Sequence, residues 1–208
     1  MFAYAPVDSA KLLAAAKNHV RALFALENAP KYAYHNFDHT QMVVRDALWI
    51  GKGSELKQEQ LLVVELAAWF HDTGFSRTYA AHEEEGAVLA KAFLYRNGVD
   101  GKLADDVADC IRATRMPQRP IGIVQQVLCD ADLAYLGSNQ FFDVSDKLLI
   151  EWQEHKQNDL DENEFSMVSE EFLLNHIYFT SFARTFLDSG KERNLKLLTT
   201  RNKNLRSI

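Results

Sequence analysis

Four stretches of this chain place imidazoles and carboxylates at spacings that could serve one reactive centre. They are His35-x-x-x-His39, His71-Asp72, His82 and Asp130-x-Asp132. Each lies in or beside a strongly apolar segment, where a lone charged group is costly unless it pairs or binds a metal. Histidine and aspartate together form a nitrogen and oxygen ligand set that suits Mn, Fe, Co, Zn or Ni, and suits Ca less well. Four protein ligands would leave positions on a six-coordinate ion for water and a substrate oxygen, as hydrolysis by a metal-activated water requires. The chain offers no rival nucleophile: it has no Gly-x-Ser-x-Gly, no phosphate-binding glycine loop and no reactive cysteine arrangement.

The elements that must position these groups read as helices. Leu61 to Phe70 is apolar nearly all round, which predicts a helix buried in the middle of the fold. It ends on His71-Asp72. Neighbouring helical side chains point about 100° apart, so both reach one ion only if it sits beside the helix end. Thr73-Gly74 is expected to supply that end, with Gly74 in the left-handed conformation that closes helices. Ahead of this run, residues 8 to 27 predict an amphipathic helix, capped by Asp8 or Ser9 and stopped by Asn28-Ala29-Pro30. A second helix carries Met42, Val43, Ala47, Leu48 and Ile50 before Gly51 to Ser54 breaks it. Further helices are expected from His82 to Asn97-Gly98, over 103 to 115, and from Ile121 into Cys129 to Gly137. Roughly 139 to 156, 164 to 188 and 191 to 200 complete the pattern. The basic tail, with Lys196, Arg201, Lys203 and Arg206, reads as a solvated helix end.

With 208 residues the chain is long enough to bury a sizeable core, and it reads as one all-helical domain over 1 to 208. Its net charge of -6 argues against non-specific binding to nucleic acid or anionic membrane. No apolar run approaches the ~20 residues that span a bilayer, and no secretory signal pattern opens the chain. Cys110 and Cys129 lack zinc-site spacing and read as two reduced, buried thiols. The expected location is the cytoplasm.

The order His39, His71-Asp72, Asp132 resembles the HD-domain superfamily of metal-dependent phosphohydrolases, named for the pattern H…HD…D on a helical bundle. Tyr34-His35-Asn36-Phe37-Asp38-His39 is similar to that family's YHNxxH, and Phe70 to Phe75 to its FHDxGF/Y segment. His82 to Ala87 and Asp130 to Leu133 also match in kind and order. The resemblance covers about 32 to 137. Beyond it, Phe179-Thr180, Ala183-Arg184, Lys191 and Asn194-Leu195 resemble the closing helices, about 139 to 200, of bacterial stand-alone HD proteins.

The resemblance implies an all-α HD-domain bundle in which His39, His71, Asp72 and Asp132 bind one divalent ion (Mn, Fe, Co, Ni, Zn or Mg). His35 and Asp72 are then the catalytic candidates. His35 either donates a proton to the leaving oxygen or simply bonds backbone where its helix begins. His82 falls where two-metal members carry an extra histidine. A further histidine expected near 112 to 117 is missing from Arg112-Ala113-Thr114-Arg115-Met116-Pro117, which favours one metal and leaves His82 for substrate phosphate, with Gly86 allowing close helix approach. Asp130 could orient a ligand histidine through its other nitrogen. Arg77, Arg112 and Arg115 are the nearest cations for phosphate, though any one of them reads first as a surface arginine. Trp69 and Tyr135 read as core rings before they read as base-stacking ones. The Glu-Asp pair of the alarmone hydrolases is absent after Asp72.

The expectation is therefore a phosphohydrolase for a nucleotide or another small phosphate ester, working on a small molecule with no nucleic-acid or membrane partner. Two alternatives stay open: a catalytically silent nucleotide-binding or signalling HD module, and a di-iron HD oxygenase, which would need the second metal's ligands.

Overall fold

A computed structural model describes residues 8–26, 31–155 and 161–205. Among these the protein has nine α-helices, two 3-10 turns and no strand. The helices are α1 (Ser9–Ala25), α2 (Phe37–Gly53), α3 (Gln58–Phe70), α4 (His82–Arg96), α5 (Gly101–Ala113), α6 (Ile123–Asp132), α7 (Phe141–Glu154), α8 (Glu162–Asn175) and α9 (Ser181–Leu205). The chain divides into two compact units, one running to Lys31 and resuming over His35–Asp132, the other comprising Tyr32–Tyr34 and the chain from Leu133 onward. The expected stop at Asn28-Ala29-Pro30 lies outside the described residues, as does Arg206.

In the first unit α3 is the spindle, packed by α1, α2, α4, α5 and α6. Val64, Leu66, Ala67, Ala68 and Phe70 are fully buried. This is what a helix apolar on every side must do to remove its surface from water. Caps fix where the helices around it begin. Asp8 accepts from the Lys11 amide at 3.1 Å, and Asp100 from the Leu103 amide at 2.9 Å. Asn36 accepts from both the Asp38 and His39 amides.

Past α3 the chain turns through His71-Asp72 into a 3-10 turn, Thr73–Ser76. Gly74 does not adopt the expected left-handed conformation; among the described glycines only Gly98 and Gly122 have positive φ. Its role is close approach. A Cβ on Gly74 would lie 1.9 Å from the His82 carbonyl oxygen, so the start of α4 reaches the turn only over a residue with no side chain.

In the second unit the expected helices at 164 to 188 and 191 to 200 are replaced by α8 and α9, with the break moved to 176 to 180. Thr180 Oγ1 accepts from the Ala183 amide at 3.0 Å, and the Arg184 guanidinium donates to the carbonyls of Tyr178 (3.0 Å) and Phe179 (2.7 Å). Lys191 donates to the His176 carbonyl. Gly190, between the two expected helices, is an interior residue of α9. A Cβ there would stand 1.9 Å from the carbonyl oxygen of Gly137, at the end of the 3-10 turn Ala134–Gly137. Asn194 completes this contact by donating to the carbonyls of Leu136 and Ser138, each at 2.8 Å. Buried Glu151 of α7 accepts the Tyr34 amide at 3.0 Å. Arg201 of the basic tail pairs with Glu162. Among the described residues no helix is long and apolar enough to cross a membrane.

Candidate metal centre

Three helix ends of the first unit deliver four side chains to one point. His39 sits in the first turn of α2, set by the Asn36 cap, and is buried. His71 continues α3 with helical backbone (φ -53°, ψ -41°), and Asp72 steps out of it (φ -103°, ψ 4°). Asp132 ends α6.

The Nε2 atoms of His39 and His71 lie 3.3 Å apart. Asp72 Oδ2 is 3.2 Å from His39 Nε2 and 3.1 Å from His71 Nε2, and Asp132 Oδ1 is 3.5 Å from each ring nitrogen. Two donor atoms each about 2.1 Å from one ion, at about 90–110° to one another, stand about 3.0–3.5 Å apart. The spacing therefore fits the shell of a single small cation.

Two further observations support that fit. His71 Nδ1 donates to the Ala68 carbonyl at 2.9 Å. A carbonyl can only accept, so in the neutral ring Nδ1 carries the proton and Nε2 turns its lone pair inward. Asp72 Oδ2 is buried and makes no hydrogen bond among the described residues, although it faces both rings at ion-pair distance. A buried carboxylate oxygen in that state calls for a cation.

The electrostatics agree. Burial favours neutral imidazoles, yet the Asp132 and Asp72 carboxylates beside the ring outweigh it and hold His39 above its ordinary range. Burial likewise opposes the charge on His71, and the Asp72 and Asp132 carboxylates lift that ring well above its ordinary range. Burial would raise both carboxyls, but the two histidines pull Asp72 well below its usual value and Asp132 down to about 2. Two anionic and two cation-seeking groups thus share one buried pocket. Asp132 is the most open of the four, with a fifth of its side chain exposed.

The remaining sequence candidates fall into two groups. His82 and His35 are drawn to the cluster. His82 Nδ1 donates to the Tyr79 carbonyl at 3.1 Å, which leaves Nε2 3.7 Å from Asp72 Oδ1 and 3.7 Å from Glu83 Oε1. The His35 and His39 ring centroids are 5.8 Å apart. Asp130 is fully buried on α6, two residues before Asp132. The arginines are paired with carboxylates or exposed. Exposed Arg77 pairs with Glu85, and Arg112 holds Glu84 through two bonds of 2.7 Å while also meeting Asp109 at 3.1 Å. Arg115 is exposed near the charge of Glu84. Trp69 is a core ring beside Phe37. Residue spacing passes over one ring at the site, Phe75, which is buried and stacks on both His35 and His82.

Residues 36–134 match the HD domain family. No curated protein matches the chain. Among solved structures it is similar to the Lin1889 protein of Listeria innocua, with a TM-score of 0.69 and 15% identity over 97% of this chain and 99% of that one. It is similar to a predicted HD superfamily hydrolase from an uncultured Thermotogales bacterium, with a TM-score of 0.60 and 20% identity over 93% and 92%. YpgQ of Bacillus subtilis, solved in complex with ADP, gives a TM-score of 0.65 and 20% identity over 95% and 97%. At these identities the likeness is one of fold.

Proposed function

We propose that this chain, whose residues 36–134 match the HD domain family, is a metal-dependent phosphohydrolase for a nucleotide or another small phosphate ester. The observation that carries the reading is the quartet of buried His39, His71 and Asp72 with half-buried Asp132, in which Asp72 Oδ2 lacks a hydrogen bond. These four residues would hold one divalent ion. When bound, such an ion activates water for attack on phosphorus and offsets the negative charge of the phosphate.

The protein's own groups do the rest. The Ala68 carbonyl keeps His71 in the tautomer whose Nε2 faces the site. Asp72, anchored between the two rings, would also orient the attacking water. His35 would protonate the leaving oxygen, and His82 Nε2 would meet a phosphate oxygen or the attacking water. The stretch Arg112 to Pro117 holds no histidine, which supports one ion over two. ADP bound to YpgQ supports a nucleotide as substrate, and the net charge of -6 supports a small molecule over nucleic acid as partner.

The test is elemental analysis of the purified protein with a phosphate-release screen over nucleotides after addition of Mn, Co, Ni, Mg or Zn. About one ion per chain and metal-dependent phosphate release would support the reading, and His71→Ala and Asp132→Ala should each remove the ion with the fold retained. Metal content unchanged in both variants would overturn the ligand assignment. About two irons per chain would favour the oxygenase reading, and a metal-loaded protein inert on every ester the binding module.

A further inference from the structure

We propose that Phe75 is a positioning residue that holds the imidazoles of His35 and His82 beside the quartet. The catalytic consequence rests on the phosphohydrolase reading, while the positioning itself does not. The Phe75 ring is buried, with 1% exposure, directly after the turn that carries His71-Asp72. It stacks on His35 at a centroid distance of 4.3 Å and an interplanar angle of 23°. It stacks on His82 at 3.8 Å and 20°. The two imidazoles are 6.3 Å from each other, so one phenyl ring serves both as a platform. Tyr79 closes against the edge of the same phenyl at 5.1 Å, and its carbonyl fixes His82 Nδ1.

The local sequence explains how the platform forms. His35 lies just before the Asn36 cap of α2 and reaches Phe75 from that side. His82 begins α4, whose first turn reaches Phe75 because Gly74 has no Cβ to block the His82 carbonyl. A flat, rigid ring with two torsions restrains an imidazole at lower entropic cost than a flexible aliphatic chain, and offset aromatic stacking adds to area burial. A group meant to meet a substrate oxygen benefits directly, since misplacement of about 1 Å can cost ~100-fold in rate.

The experiment compares Phe75→Leu, which removes the ring and keeps apolar bulk, with Phe75→Tyr, which keeps the ring. The first readout is the set of histidine Cε1–H resonances of the metal-free protein, assigned with His35→Ala and His82→Ala. Through-space contacts from the Phe75 ring to both imidazoles are expected in the unsubstituted protein. In Phe75→Leu the His35 and His82 resonances should lose their ring-current displacement while that of His176 stays in place; Phe75→Tyr should retain it. The second readout is turnover: Phe75→Leu should lower kcat roughly 10-fold or more at unchanged metal content, with recovery in Phe75→Tyr. Absence of the through-space contacts, or unmoved His35 and His82 resonances in a folded Phe75→Leu, would overturn the proposal whatever the activity. Contacts that are present in a protein releasing no phosphate would uphold the positioning and count against the phosphohydrolase reading alone. If Phe75→Leu does not fold, the contacts in the unsubstituted protein still decide.

Discussion

The backbone of Gly86 lies against the carbonyl of His71, so closely that a Cβ on Gly86 would stand 3.0 Å from that oxygen and 2.9 Å from the Phe70 oxygen. The first turns of α4 thus lock onto the turn that presents His71 and Asp72. Neither carbonyl can yield without moving α3. Gly86→Ala is expected to destabilise the protein by about 1–3 kcal/mol and to weaken metal binding, because the displaced turn carries two of the four ligands. Urea denaturation and metal titration of the variant check this. Unchanged stability would show that α4 can retreat freely.

Gly190 supplies a prediction whose sign opposes helix propensity. Within a helix, Gly→Ala ordinarily gains about 1 kcal/mol. In α9 the added methyl would meet the Gly137 carbonyl at 1.9 Å. Gly190→Ala is therefore expected to lower the denaturation midpoint. A raised midpoint would mean that α9 and the 3-10 turn are not held in contact.

Metal binding should release protons. Metal-free His39 and His71 are held above their ordinary value of 6.5 by Asp72 and Asp132, whereas a bound ion needs both Nε2 lone pairs. Affinity should rise as pH rises through the raised imidazole values and fall below them. The stability that the protonated rings lend the metal-free protein runs the other way: it is full below 6.5 and lost as pH rises through the raised values. Calorimetry in buffers of different ionisation enthalpy should find about one to two protons released per ion near neutral pH, and no release would contradict the shared-pocket electrostatics.

His176 predicts an acid-side loss of stability in the second unit. Burial, with Lys191 nearby, pushes this imidazole down to about 4, and neither ring nitrogen has a hydrogen-bond partner among the described residues. Its folded value lies below 6.5, so protons favour the unfolded chain. The stabilisation is full above about pH 6.5 and lost as pH falls toward 4, with a magnitude on the order of 2 kcal/mol after solvent screening. Between pH 7.5 and 4.5 the protein should lose more stability than its His176→Leu variant, as read by urea midpoints. Parallel losses would assign the acid sensitivity to other groups.

Much of the protein is written locally. The stretch Leu61 to Phe70, apolar nearly all round, reads as a buried helix, and the all-α class follows from the three- to four-residue periodicities of the segments around it, which depend only on near neighbours. The four separated His and Asp stretches announce a nitrogen and oxygen ligand set for the same reason, since ligand chemistry resides in residue type. The residues that tertiary contacts decide are of another kind. Gly74 looks like helix punctuation in sequence and Gly190 falls between two expected helices, but each is required by a carbonyl that packing brings against it, that of His82 or Gly137. Arg77 and Arg112 look available for phosphate until α4 brings Glu85 and Glu84 to them. Phe75 closes the Phe70 to Phe75 segment that stands out in sequence, but it has no visible task until two histidines, 40 residues before it and seven after it, stack on its ring. Spacing reveals which groups can do chemistry; which backbone or ring comes within 4 Å of them is settled only when the helices pack.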